Sequence, residues 1–428
     1  MHFSPNTYTD LEWGHGDEDP AIFNPTDLDC DSWVEAVKAA GMKGLILTAK
    51  HHDGFCLWQT STTLHSMKSS PFKGGKGDIV REAADACKRG GIKFGFYLSP
   101  WDRNCPFYGT PAYNDFYKAQ LIELLTGYGD IFEVWFDGAC GEGLNGKKQE
   151  YDFEGFIKII RKYQPNAVIF NDRGPDVRYC GNEAGKGRHA EWAIVPYELC
   201  DREQTTPTGD SAIPGTLDYL RSEIQDLGGL ETILYSKKLV FAGAEIDTSI
   251  RKGWFYHSYE EPHSLEKLFE IYLSSVGSNA CLNLNIPPMP TGRFDPRDIA
   301  RLKELGDRIK MEFGSDVTGK AKIEYIFLNP DKTQLQIDIA YKEPLRPKYF
   351  VLSEDISKGQ RVGSFIITDE CWDGKYRNFY DGTCIGNRKI CAFSDSRCVN
   401  CTQPKDKFRI TITAARGEIF LKDLKIFA

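Results

Sequence analysis

No apolar run in this chain approaches the roughly 18 residues a membrane-spanning helix requires, which excludes a transmembrane segment within it. Positive charge is in short supply: 53 Lys and Arg stand against 61 Asp and Glu, a net −8. Counterion release on a nucleic-acid backbone needs clustered basic residues, which argues against nucleic acid as a partner. No GxGxxG or GxxxxGK[ST] turn follows any expected strand, which argues against a nucleotide site. The 13 cysteines are scattered, and the one close pair, Cys398 and Cys401, has no His or Cys partners at zinc-finger spacing. Most are read as small buried hydrophobes. Export would leave room for a disulfide among Cys371, Cys384, Cys391, Cys398 and Cys401. Internal repeats and low-complexity segments are lacking too.

What is present is an ordinary globular balance, 41% hydrophobic and 27% charged, in a chain long enough for two domains or a barrel plus an appendage. Aromatic content is high at 13%. Rings stack on C–H-rich sugar faces, although most of these serve a large aromatic core. The first two thirds alternate strand and helix. Apolar spacing predicts a helix over 31–40 stopping at Gly41, then a buried strand Leu45-Ile46-Leu47-Thr48 running into Lys50-His51-His52-Asp53-Gly54. Asp78 caps a helix over 79–89, and a strand over 92–98 follows. A helix over 113–128 leads to a strand over 132–137, and a helix over 153–163 leads to a strand over 167–170 ending at Asn171-Asp172-Arg173-Gly174. Short turns between successive β-α units mean parallel strands with helical crossovers. Polar and aromatic residues collect after the strands, the asymmetry of a TIM-like (β/α)8 barrel. Beyond Gly314 the period becomes two, over 322–328, 334–340, 349–352, 364–368, 408–413 and 417–421, which predicts a C-terminal antiparallel β-sandwich. The expected division is 1–316 for the barrel and 317–428 for the sandwich. The sandwich has one tryptophan, Trp372, and bracing is its expected role. Met1-His2-Phe3-Ser4-Pro5 reads as the end of a strand, so residues upstream are expected to complete it. Localisation is left open, with export following if such a segment carries a signal peptide.

The stretch Glu133-Val134-Trp135-Phe136-Asp137-Gly138 organises the rest. It is a short buried strand ending on a carboxylate, and a strand-end residue of a barrel points into the active-site mouth. Capping of the next segment is the plainer use of Asp137. Other strand ends repeat the theme: His2, Glu12 and Trp13, His51 and His52, Tyr97, Trp135. Together they form a rim of rings and hydrogen-bonding groups suited to a polyhydroxylated ligand. His51, His52 and Asp53 also suggest a metal-dependent hydrolase, but adjacent His residues lack the usual ligand spacing and a third ligand is not identifiable. No metal or cofactor is therefore assigned. Cleaving a glycosidic bond takes two carboxyl groups. Asp137 would be one; Glu183, Glu191 and Glu245 compete for the other, and spacing does not choose among them. A glycan-binding protein without catalysis would keep the rings and His but need no paired acid.

The ordered motifs His2-Phe3-Ser4-Pro5, Glu12-Trp13-Gly14, Leu47-Thr48-Ala49-Lys50-His51-His52-Asp53-Gly54-Phe55, Tyr97-Leu98-Ser99-Pro100-Trp101-Asp102, Val134-Trp135-Phe136-Asp137-Gly138 and Gly253-Trp254-Phe255-Tyr256-His257 resemble those of the α-L-fucosidases of glycoside hydrolase family 29. The resemblance runs over residues 1 to about 315. It implies a retaining enzyme that removes terminal L-fucose from fucosylated oligosaccharides through a covalent intermediate. It implies Asp137 as nucleophile, with His2, Glu12, Trp13, His51, His52, Tyr97 and Trp135 around the sugar. Glu245 and Trp254 look like walls or supports of the site. The segment Pro175-Asp176-Val177-Arg178 leading to Gly181-Asn182-Glu183 resembles the branch acting on α-1,3 and α-1,4 linkages, which ranks Glu183 first as acid/base. Phe55 and Phe255 are candidates for a pocket around the fucose methyl group.

Overall fold

The computed structural model describes residues 1–171, 174–197, 226–234, 236–371, 373–393 and 404–428. Asp172, Arg173, Trp372, Cys398 and Cys401 lie outside the described residues. The chain divides into two compact units. One comprises Met1–Arg178, Thr248–Leu268 and Leu284–Asp307; the other comprises Tyr179–Asp247, Phe269–Asn283 and Arg308–Ala428.

The β-α alternation appears as expected. The strands are β1 (Gly44–Lys50), β2 (Lys93–Leu98), β3 (Glu133–Trp135), β4 (Val168–Asn171), β5 (Val177–Tyr179), β6 (Ile194–Pro196), β7 (Leu239–Phe241), β8 (Gly243–Ser249) and β9 (Ala280–Asn285). The longer helices are α1 (Cys30–Ala39), α2 (Ile79–Gly90), α3 (Pro111–Gly127), α4 (Phe153–Tyr163), α5 (Leu265–Ser274) and α6 (Pro296–Glu312). Their starts are set by side chains that satisfy free backbone N–H groups: Asp29 accepts from Ser32 N, Asp78 from Arg81 N and Asp152 from Gly155 N. Gly91, at φ 68°, closes α2 in the left-handed conformation that glycine adopts without strain.

Seven strands form one sheet in the order β1-β2-β3-β4-β5-β8-β9, the curled half-barrel of a TIM-like fold. The β1–β2, β2–β3, β3–β4 and β4–β5 pairs are parallel. An eighth full strand is not present among the described residues. Its place beside β1 is taken by Met1, whose amine donates to Ile46 O at 2.8 Å and whose carbonyl accepts from Thr48 N at 2.9 Å. His2 N then donates to Asn285 Oδ1, at the end of β9, at 3.0 Å. The chain start thus bonds to both edge strands of the sheet.

The C-terminal strands are β10 (Ala321–Phe327), β11 (Leu335–Leu345), β12 (Tyr349–Glu354), β13 (Val362–Glu370), β14 (Tyr376–Gly382), β15 (Lys389–Ala392), β16 (Lys405–Ala415) and β17 (Leu421–Phe427). They make a five-stranded sheet, β10-β11-β16-β13-β14, and a three-stranded sheet, β15-β12-β17. The alternation of β11 puts Leu335, Ile337, Ile339 and Tyr341 into a core shared with Phe350, Ile367, Phe408 and Ile410. Sequence periodicity did not show β14 and β15, and its expected segment 417–421 meets β17 only at Leu421. β14 mixes Arg377, Asn378 and Asp381 with Tyr376, Phe379 and Tyr380 without strict alternation, and β15 is four residues long and buried throughout.

Cys371 and Cys384 carry free thiols, and Cys281 is exposed rather than a buried hydrophobe. Among the described residues no helix is long and apolar enough to cross a membrane.

Candidate active site

The first unit gathers most of the rim residues at the carboxyl ends of its strands. Asp137 stands two residues beyond β3. Its Oδ2 accepts from the Tyr97 hydroxyl at 2.8 Å and its Oδ1 from Ala139 N at 2.7 Å. The carboxylate is thereby oriented through both oxygens while its side chain keeps 26% exposure, enough to meet a ligand. Burial, and then the charge of Asp137, push the Tyr97 phenol well above its usual range, so it remains a donor. The Trp135 ring lies flat on Phe170, with centroids 4.0 Å apart at 8°, and tilts against Tyr97.

The His52 Nε2 lies 3.8 Å from Asp137 Oδ2. Its other nitrogen, Nδ1, is 2.7 Å from Ser99 Oγ, which itself donates to Trp101 O at 2.7 Å. The single hydroxyl proton is used there, so the assignment is Nδ1–H donating to Ser99, with Nε2 left as an acceptor facing the site. Burial lowers the His52 pKa below 6.5 and keeps the ring neutral. His51 packs against it at 4.1 Å between centroids, and its buried Nδ1 has no partner among the described residues. A buried polar atom of that kind costs free energy unless a ligand satisfies it. His2 Nδ1 sits 3.0 Å from Asn285 Oδ1, while Asn285 Nδ2 donates to Ser249 Oγ and Trp254 O. Rings of His51, Tyr97, Trp254 and Phe255 lie 5.1–5.9 Å from His2. Trp13 is 56% exposed and meets His52 and Trp101 edge-on, an open aromatic wall.

Burial lowers the His2 pKa from 6.5 to about 3, with the N-terminal charge adding to the effect and the Asn285 hydrogen bond opposing it. Unfolded, this imidazole takes up a proton near pH 6.5; folded, only near 3. The stability tied to neutral His2 is present above 6.5 and is lost as pH falls towards 3, by up to ~1.4 kcal/mol per pH unit. Asp53 opposes this: desolvation raises it to about 7, so its contribution is present at low pH and fades as pH rises through 7. Melts of the wild type and His2→Gln between about pH 4 and pH 7 should show an acid slope shallower by about one proton in the variant. An unchanged slope would show that His2 does not resist protonation.

Two sequence expectations change character here. Glu12 turns to the backbone: Oε2 accepts from Trp254 N at 2.7 Å, Oε1 from Phe255 N at 3.2 Å, and Oε1 lies 2.6 Å from His257 Nε2. It holds the segment that carries Trp254. Asp53 is fully buried, accepting from Ser4 Oγ at 2.6 Å and Phe55 N at 2.8 Å. With Asp53 engaged in this way, the His51/His52/Asp53 set does not converge. Among the described residues no group of three or more His, Cys, Asp or Glu could hold a metal ion. Phe255 lies edge-on to His2 and His51, whereas Phe55 packs against Phe23 and His65.

The acid candidates belong to the second unit. Glu191 is 1% exposed, and its Oε2 accepts from Arg188 N at 3.0 Å. Glu245 is 3% exposed, and its Oε1 accepts from Asn283 Nδ2 at 3.2 Å. Glu183 is exposed, on a loop folded around Asn182, whose side chain bonds Ala184 N and Lys186 O. Sequence reasoning assigned no role to Ser99, Trp101, Asn285 or His257. Three of them stood inside quoted motifs; Asn285 lay outside them.

The sequence model of the α-L-fucosidase family matches residues 2–205 and 225–312. The chain belongs to that family. It is 37% identical to α-L-fucosidase 1 of Arabidopsis thaliana over 419 residues, 92% of this chain and 78% of the relative. Among solved structures it resembles a glycoside hydrolase 29 family member from an unknown rumen bacterium, at 38% identity and TM-score 0.84, covering 100% of this chain and 74% of that one. It also resembles a Ruminococcus gnavus GH29 fucosidase in complex with fucose, at 28% identity and TM-score 0.84, covering 100% and 91%. This fucosidase-family chain is accordingly a glycoside hydrolase with α-L-fucosidase activity.

Proposed function

We propose that the enzyme is a retaining exo-α-L-fucosidase, acting on terminal α-1,3- or α-1,4-linked fucose of oligosaccharides through a covalent fucosyl–Asp137 intermediate. The observation that carries this reading is the Asp137 carboxylate, fixed by Tyr97 and Ala139 and surrounded by neutral imidazoles and aromatic walls. Asp137 attacks the anomeric carbon as the bond to the leaving oxygen breaks, and Glu183 gives that oxygen its proton. Glu183 then takes a proton from water, whose oxygen displaces Asp137 and frees fucose. The sugar is held by His2, His51, His52, Tyr97, Trp13, Trp135 and Trp254, with Phe255 against the fucose methyl. Glu12 acts by holding Trp254, and Glu245 supports its own unit. The exposure of Glu183, against the burial of Glu191 and Glu245, supports its choice. A loop-borne acid can close on the ligand when it binds. The change from β-α units to antiparallel strands between α6 and β10 supports a catalytic domain over 1–316 and a sandwich over 317–428.

Glu183→Ala, Glu191→Ala and Glu245→Ala should be compared on an aryl α-L-fucoside with azide. Glu183→Ala alone should regain turnover, releasing α-fucosyl azide, the retained anomer formed when azide replaces water in displacing Asp137, and should lose roughly 10²–10⁴-fold on trisaccharides. Full activity of that variant on trisaccharides refutes the assignment. A panel of α-1,2-, α-1,3- and α-1,4-fucosylated trisaccharides tests the linkage, with the last two expected to be cleaved fastest.

A further inference from the structure

The second unit contains a cavity of about 680 Å³ that the fucosidase reaction does not account for. Its walls are the end of the Gly187–His189 loop, α5, Ser278, β14 and β15. The loop wall is fixed: Ser274 Oγ donates to Gly185 O at 2.9 Å, and a Cβ on Gly187 would come within 2.5 Å of Ser274 O.

Lys389 opens β15 and faces Ser278 across an antiparallel bridge. It is 5% exposed and lines the cavity. Among the described residues its Nζ donates to one acceptor, His189 O, at 3.3 Å, with no carboxylate paired to it. An ammonium has three protons to donate, and burying it unpaired is costly. A negatively charged group entering the cavity would complete its shell, whereas the charge of Arg188 on the same wall is offset by Glu191 at 3.8 Å. The remaining lining suits something larger than an inorganic anion. The Tyr380 ring is held in a stack on Phe365, with centroids 6.0 Å apart at 25°, and offers a flat apolar face. Asp381, held by Asn378 Nδ2 at 2.6 Å, and Glu270 provide oxygens that accept from hydroxyl groups. A buried cation, an aromatic face and hydroxyl acceptors within one cavity are the complement of an acidic sugar.

We propose that this cavity is a binding site for an acidic saccharide, a sugar bearing a carboxylate or a sulfate, with Lys389 as the anion contact. Calorimetric titration of the full chain with digalacturonate, lactose 3′-sulfate and neutral lactose tests it. At least one of the two acids should bind about tenfold more tightly than lactose, and the one that does identifies carboxylate or sulfate as the source. Lys389→Met should remove that preference, Lys389→Arg should keep it, and Ser278→Trp, which fills the cavity without touching the charge, should abolish binding. Turnover of an aryl α-L-fucoside should be unchanged in Lys389→Met, so this proposal and the fucosidase mechanism fail separately. Equal binding of all three sugars overturns the proposal. So does acid binding that survives Lys389→Met or Ser278→Trp, the second serving if the first does not fold.

Discussion

Replacing Asp137 by Asn is expected to lower turnover of an aryl α-L-fucoside by roughly 10⁴-fold, about 5.5 kcal/mol of transition-state stabilisation. The substitution is nearly isosteric. The amide oxygen can still accept from Ala139 N at the Oδ1 position, so the loop after β3 should keep its path. What is lost is the proposed nucleophile, because an amide does not form the glycosyl ester. The Tyr97 hydroxyl also loses the charge it points to, and an amide NH₂ at that position offers it no acceptor. Fucose itself should still bind, since His2, His51, His52 and Trp13 are untouched. Steady-state kinetics paired with titration of free fucose separates the two effects. Near-normal turnover would remove Asp137 from the chemistry. Loss of fucose binding as large as the loss of turnover would make it a binding residue instead.

How legible this arrangement was in the sequence depends on the range of the interaction involved. Local signals were read correctly: Asp78 before an amphipathic run became an N-cap, and the strand ending near Asp137 became β3. The candidate site side chains at strand ends, His51, His52, Tyr97 and Trp135, needed only the rule that such residues face a barrel mouth. Glu12 was different. Its partners Trp254 and Phe255 lie more than 240 positions away, and no spacing in the chain could show that its oxygens would be used on their backbone N–H groups. Asn285 was hidden for the same reason: it joins His2 to the Trp254 carbonyl across the length of the first unit. The short, buried β15 carries no alternation, because a strand covered on both faces has no polar side to show.

Lys50→Met should cost roughly 3–5 kcal/mol of stability, the scale of a buried pair left with one member. Lys50 and Asp102 are 0% and 2% exposed, and their charged atoms are 2.9 Å apart. The ammonium also donates to Gln120 Oε1 at 3.0 Å and lies 5.4 Å from the centre of the Tyr117 ring. Methionine fills the space but pairs with none of these. Asp102 would then be a buried carboxylate without its cation, although its Oδ1 accepts from Asn104 N and Cys105 N and shapes the turn after β2. Arg103 in that turn donates its backbone N–H to His52 O at 2.9 Å, so the damage reaches the active site. Urea unfolding should show the loss, and activity should fall with it. The companion variant Lys50→Met with Asp102→Asn separates the causes. Neutralising the stranded carboxylate should recover part of the stability, giving a coupling energy between the two positions. If the double variant is as unstable as the sum of the singles, the pair is not coupled, and Lys50 contributes through packing on its aromatic neighbours rather than through its charge.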